Sequence, residues 1–152
     1  MLVTYMITTW NRKATLEWHL RRLSMQTWDK PFEVIVCVDG STDGTQHMLR
    51  YWDMNSFLND SCKKGYEARY ALKWFDTGNV DKATPAKARN LGILHAKGEM
   101  LIMADDDCLP HKDLISEYAK KFKKGVVQVG LMVSSKEHLN RSVPAILQSP
   151  LI

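Results

Sequence analysis

The chain alternates short β-branched apolar runs with amphipathic stretches, the pattern of successive parallel βαβ units. Leu2–Thr8 reads as a first strand, and Leu16, Leu20 and Leu23 then recur at i, i+4 and i+7, which predicts one buried helix face. Phe32–Val38 is almost continuously apolar and predicts a strand covered on both sides. After the turn Asp39–Thr45, Met48, Leu49 and Trp52 mark a second helix, with Ser41, Thr42 or Asp43 available to cap it. Residues 53–65 are polar and irregular and read as a loop or short helical insertion. Tyr70–Phe75 gives a third strand. Thr84–Ala96 gives a helix, with Pro85 near its start and Gly98 just past its end. Glu99–Ala104 is the fourth strand, and Pro110 opens a helix with Leu114, Ile115, Tyr118 and Phe122 on one face and Gly125 at its end. Val126–Val133 completes the pattern as a fifth strand. The expectation is one α/β domain over residues 1–152, a mostly parallel sheet flanked by helices.

This layout puts three polar clusters at the carboxyl ends of strands: Thr8–Arg12, Asp39–Thr45 and Asp105–Asp107. Open parallel sheets bind ligands beyond those ends, where strand order reverses. The clusters therefore predict one site rather than three unrelated turns.

Asp105, Asp106 and Asp107 follow directly on the apolar run Met100–Ala104. Three adjacent carboxylates repel one another, so a fold that gathers them at a strand end is expected to bring a compensating cation. Oxygen-only ligands suit Mg²⁺ or Mn²⁺ better than zinc and leave positions open for phosphate oxygens. A solvated acidic turn that caps the next helix is the other reading of these residues. Asp39–Thr45 has the Gly and Ser/Thr content that lets a backbone approach a ligand, and Asp39 could accept from a base ring N–H. A capping turn explains it equally. It is neither a Walker loop nor a dinucleotide fingerprint, because both glycine signatures are absent. Lys87 and Arg89 stand early in a helix, where cations oppose the dipole, which points to a bound anion such as a diphosphate; plain surface charge is the alternative. The five histidines form no metal spacing and read as surface or packing residues.

Bulk properties narrow the field further. With 45% hydrophobic and 25% charged residues among 152, the composition is that of an ordinary soluble domain. No apolar run approaches the roughly 18 residues of a membrane span, and no export signal is visible, so a cytoplasmic location is the default expectation. Cys37, Cys62 and Cys108 lack redox or metal spacing and read as reduced thiols. Lys120, Lys121, Lys123 and Lys124 read as a solvated helix end, with peripheral contact to an anionic membrane surface as the secondary expectation. No basic stripe with interleaved aromatics appears, so nucleic acid is not an expected partner.

Four segments in order resemble family 2 glycosyltransferases of the GT-A fold. They are Thr8–Arg12; Val34–Thr45; Ala88–Ile93; and Gly98–Pro110, which contains the acidic triplet. The resemblance implies that Thr8, Thr9 and Arg12 line a nucleotide pocket and that Asp39 meets the base. It implies that Lys87 and Arg89 face the ribose-diphosphate, with Asp105 and Asp106 on the donor side. Asp105 and Asp107 match the outer members of the family's D-x-D and are the implied ligands of Mn²⁺ or Mg²⁺, Asp107 the more direct. The implied partner is a nucleotide diphosphate sugar, UDP-linked more often than not, and the implied reaction inverts the anomeric carbon. The acceptor, whether glycan, lipid or protein, is not specified.

Two departures from the family pattern stand out. Thr8 and Thr9 occupy the place where a proline is usual before the Asn-Arg turn. The chain also stops about where an acceptor-binding half would begin, and no acid in its later part matches the usual catalytic base. A nucleotide-sugar-binding module or fragment without transferase activity is therefore the alternative. The apolar tail Ser142–Ile152 is expected to need cover, from further sequence or from a second copy in a homo-oligomer.

Overall fold

Four parallel strands form one sheet in the order β3-β2-β1-β4, with β1 Val3–Thr9, β2 Phe32–Val38, β3 Tyr70–Asp76 and β4 Met100–Asp105. The structure, a computed structural model, describes residues 1–54 and 70–130. The helices are α1 Lys13–Ser24, α2 Thr45–Met54, α3 Pro85–His95 and α4 Leu114–Lys121. Strand order reverses between β1 and β4: from β1 the chain steps outward to β2 and β3, and then returns past both to lay β4 on the other side. Thr8 stands beside Cys37 of β2 on one flank and Asp105 of β4 on the other. The switch point predicted for the site is thus flanked by the first and third polar clusters.

The pleat explains the near-continuous apolar runs. Val3, Tyr5 and Ile7 of β1 and Val34, Val36 and Val38 of β2 meet Leu16, Leu20 and Leu23 of α1, Met48 and Leu49 of α2 and Ile115 of α4. The alternate residues Met6, Ile35 and Cys37 meet Ala88 of α3 in a second, smaller cluster. Two helix layers therefore sandwich the sheet, and both faces of β1 and β2 must be apolar. α3 lies close because Gly92 faces the sheet: a methyl group there would come within 2.2 Å of Met6 Sδ and 2.6 Å of Cys37 Sγ.

Strand and helix positions follow the sequence pattern closely, with two corrections. α4 begins at Leu114 instead of Pro110, because Pro110–Asp113 turns first and Leu114 N donates to His111 O. No strand forms over residues 126–130, where Val126, Val127 and Val129 lie exposed, Val127 at 89%. The rest of that expected strand, Cys62, the insertion beyond Met54 and the apolar tail lie outside the described residues. Among the described residues, no helix is long and apolar enough to cross a membrane.

Candidate functional site

The acidic triplet does not close on itself. β4 ends at Asp105, whose carboxylate accepts from Thr8 Oγ1 at 2.8 Å and from Arg89 Nη2 at 3.0 Å. Asp106 turns inward, 2% exposed, and accepts from Thr9 Oγ1 at 2.7 Å and Arg12 Nη1 at 3.1 Å. Asp107 turns outward and accepts from the same Arg12 Nη1 at 2.6 Å. The side chains of Asp105 and Asp107 stay 52% and 55% exposed. The compensating cations in this arrangement are two arginines, and among the described residues no group of three acidic, histidine or cysteine side chains is gathered for a metal.

Electrostatics separates Asp105 from Asp106. Burial alone would raise the Asp105 pKa, but bonds from Thr8 and Arg89 and the charges of Arg89 and Arg12 hold it below the usual carboxylate range. Burial raises that of Asp106 in spite of Thr9 and Arg12. The carboxylates of Asp105 and Asp107 face outward, and two oxygen groups of this kind fit a hard divalent cation that shares its shell with phosphate oxygens. Asp106, expected on the donor side, turns its side chain inward onto Thr9 and Arg12. Thr8 and Thr9, expected to line a nucleotide pocket, spend their hydroxyls on Asp105 and Asp106.

A buried relay supports this turn from behind. His19 of α1, fully buried, approaches the Asp106 carbonyl through Nδ1 at 3.1 Å and the Tyr5 hydroxyl through Nε2 at 3.0 Å. A carbonyl can only accept, so Nδ1 carries the proton, and Nε2 accepts from the Tyr5 O–H. Burial lowers the imidazole pKa to about 4, which keeps this neutral form in place. The sequence reading treated His19 as surface or packing. Its spacing held the missing signal, since it shares the stripe of Leu16, Leu20 and Leu23 and so had to point inward.

The second cluster stitches the loops together. Asp39 is 2% exposed, and its carboxylate accepts from Thr77 Oγ1 at 2.8 Å, from Thr84 Oγ1 at 2.6 Å and from the Thr84 amide. It therefore ties the end of β2 to the start of α3. One lone pair of Oδ2 is left for a further donor. Asn11, with φ 52°, donates its amide to Ser41 Oγ and accepts from the Thr42 amide. Asp43 accepts from the Lys13 amide at 2.8 Å and the Thr45 amide at 3.1 Å, so one carboxylate serves the first turns of α1 and α2. These bonds hold its pKa low against burial.

The α3 cations split. The anion beside Arg89 is Asp105, whereas exposed Lys87 donates to the Thr77 carbonyl at 3.3 Å. Trp10 is exposed at the end of β1. An open cleft of about 530 Å³ runs along the start of α1, lined by Asn11, Arg12, Lys13, Ala14, Thr15, Glu17 and Asp43.

Comparison with known proteins places the fold in a family. The model of "Glycosyl transferase family 2" matches residues 4–68 and 79–147. The uncharacterized glycosyltransferase YfnE of Bacillus subtilis is 32% identical over 120 residues, 79% of this chain and 26% of that protein. Glycosyltransferase AglE of Haloferax volcanii is 27% identical over 116 residues, 72% of this chain and 32% of AglE. The chain thus spans a quarter to a third of the length of these two relatives. Among solved structures, the mannosyltransferase PcManGT of Pyrobaculum calidifontis, in complex with GDP-Man and Mn²⁺, superposes with TM-score 0.67 at 26% identity, covering 91% of this chain and 37% of that one. TarS 1–349 of S. aureus, in complex with UDP-GlcNAc, gives 0.63 at 24% identity, covering 79% and 30%, and shows likeness of fold.

Proposed function

Because this chain belongs to glycosyl transferase family 2, we propose that it binds a nucleotide diphosphate sugar at the carboxyl ends of β1, β2 and β4 and serves the transfer of that sugar to an acceptor. The observation that carries the reading is the exposed cluster of two ion pairs, Arg12–Asp107 and Arg89–Asp105, at the strand switch point. Its ion pairs are exposed, and pairs of that kind contribute only about 0–1 kcal/mol. They can therefore exchange partners at little cost.

The chemistry asks for that exchange. Breaking the bond between the anomeric carbon and a diphosphate oxygen leaves negative charge on the leaving group. Arg12 and Arg89, released from Asp107 and Asp105, would face that charge, with Lys87 as a third cation. Asp105 and Asp107 would hold Mn²⁺ or Mg²⁺, which when bound supplies charge stabilisation to the diphosphate. Asp39, through its remaining lone pair, would accept from a base N–H, and uracil is the base carried forward. Inversion at the anomeric carbon follows from the family resemblance. The group that deprotonates the acceptor is unassigned among the described residues.

Titration calorimetry of UDP with and without Mn²⁺, with GDP as the comparison base, tests the reading. Metal-dependent UDP binding that Asp107→Ala abolishes is the expected result; binding indifferent to both would end it. A second reading rests on the chain's span of 26% of YfnE and 32% of AglE: this stretch binds the donor and transfer needs more chain. Sugar transfer by the 152-residue chain across an acceptor panel would exclude that second reading.

A further inference from the structure

We propose that His19 is a positioning residue for the donor site: with Tyr5 as its anchor, it fixes the main chain of the acidic turn and thereby the aim of Asp105 and Asp107. The inference rests on the functional reading above only for its ligand; the positioning itself stands on geometry. Arg12 and Arg89 reach the turn's carboxylates, and the bonds to its main chain otherwise come from the turn itself or from the end of β1. Thr8 and Thr9 hold carboxylates, Asp106 N donates to Thr8 O at 3.2 Å, and Cys108 N closes on Asp105 O at 3.0 Å. His19 alone among the described residues bonds the Asp106 carbonyl, and it does so from α1, 87 positions away in sequence.

The middle carbonyl is the lever for both outer side chains. Asp106 sits between the two outward carboxylates, so rotation of its peptide would swing Asp107 relative to Asp105. A flexible donor would not prevent this. An imidazole can, because its plane is fixed at both ends: Nδ1 on the carbonyl and Nε2 on the Tyr5 hydroxyl, with the two rings packed edge-on at a centroid distance of 5.6 Å and 63°. The Tyr5 hydroxyl also selects the tautomer, since a donor at Nε2 leaves the proton on Nδ1. Second-shell bonds of this kind orient metal and phosphate ligands without touching them.

Two amide substitutions separate positioning from packing. In His19→Asn the side-chain nitrogen lies where Nδ1 lies, so the bond to the Asp106 carbonyl survives and the Tyr5 bond is lost. In His19→Gln it lies where Nε2 lies, so the reverse holds. Positioning predicts that His19→Gln weakens Mn²⁺-dependent UDP binding by about tenfold or more, while His19→Asn stays within about threefold of wild type, the span of context dependence. Hydrogen exchange of the ligand-free full chain gives an independent readout. The Asp106 and Cys108 amides should exchange faster in His19→Gln than in His19→Asn, which keeps the carbonyl bond and loses only the anchor.

Equal affinities and equal exchange in the two variants overturn the inference, as does loss in His19→Asn alone. If either amide variant does not fold, Tyr5→Phe decides: faster exchange at Asp106 and Cys108 supports the anchor, and unchanged exchange overturns it. A wild-type chain without Mn²⁺-dependent UDP binding would defeat the functional reading only, because the exchange comparison still judges the positioning.

Discussion

Arg12 uses one guanidinium nitrogen, Nη1, to bond both Asp106 at 3.1 Å and Asp107 at 2.6 Å, so a single side chain joins the buried and the exposed members of the acidic triplet. These bonds and charges raise the Arg12 pKa further, so the guanidinium stays charged throughout the working range. The two bonds have different worth. Asp107 is solvated and gains little from the pair, whereas Asp106 is enclosed and depends on it.

Arg12→Ala should therefore cost stability as well as binding. Leaving the Asp106 carboxylate enclosed without its cation is expected to lower unfolding free energy by about 1–3 kcal/mol, readable by urea denaturation. UDP affinity in the presence of Mn²⁺ should fall by about tenfold, the worth of one charge-assisted hydrogen bond. Arg12→Lys should recover part of the binding but not the shared contact, because an ammonium lacks the planar fork.

Asp107→Ala and Asp106→Ala should fail in opposite ways. The first removes an exposed carboxylate and should leave the melting temperature within a few degrees while abolishing the metal dependence of UDP binding. The second leaves the Thr9 hydroxyl without its partner in an enclosed gap and takes one of Arg12's two carboxylates, and should destabilise by about 1–3 kcal/mol. Thermal melts beside calorimetry distinguish the two. A stable Asp106→Ala variant with normal packing would contradict the inward placement.

Acid should unfold the protein earlier than its carboxylates alone require. His19 has its pKa depressed by burial to about 4, against an ordinary value near 6.5. The folded state therefore binds this proton less readily than the unfolded chain, so its stability is whole above pH 6.5 and declines as pH falls toward 4. Between pH 6.5 and 5 the expected loss is about 1.5 kcal/mol. Urea titrations at several pH values should show that slope in wild type and lose it in His19→Asn. Asp43 and Asp105, whose pKa values are lowered, add their loss only in the more acid range.

Gly40→Ala should damage the base-side loop. Gly40 sits at φ 74°, and a methyl group there would come within 1.9 Å of the Asn79 carbonyl oxygen. Left-handed strain of about 1 kcal/mol adds to a backbone clash that no side-chain rotation relieves. The expected result is a loss of at least about 2 kcal/mol and weaker UDP binding through displacement of Asp39. Gly78→Ala, also at positive φ but with open space around it, should carry the strain without the clash.

The layers of this fold were legible because each apolar run has one geometric meaning. Phe32–Val38 is apolar at every position but Glu33 and is the buried strand β2, and Leu16, Leu20 and Leu23 are the inner face of α1. The fate of the triplet was not legible, because alternation ends with the strand at Asp105 and nothing local says which way Asp106 turns. That direction is set by Thr9, Arg12 and His19, residues remote in sequence. The opposition of Lys87 and Arg89 to the helix dipole did point to an anion, but the first anion to answer was the chain's own Asp105. Asp39 was ambiguous between cap and ligand because it is built to hold the Thr84 amide at the start of α3.

The bonds from Thr8 to Asp105 and from Thr9 to Asp106 each span 97 positions. During synthesis the first βα unit can collapse while β4 is still unmade, yet those two hydroxyls stay without their carboxylates until it arrives. Closing so long a loop is slow relative to local helix formation. The donor site should therefore form late, and a nascent chain halted before Met100, which holds α1 to α3 alone among the helices, should bind no nucleotide.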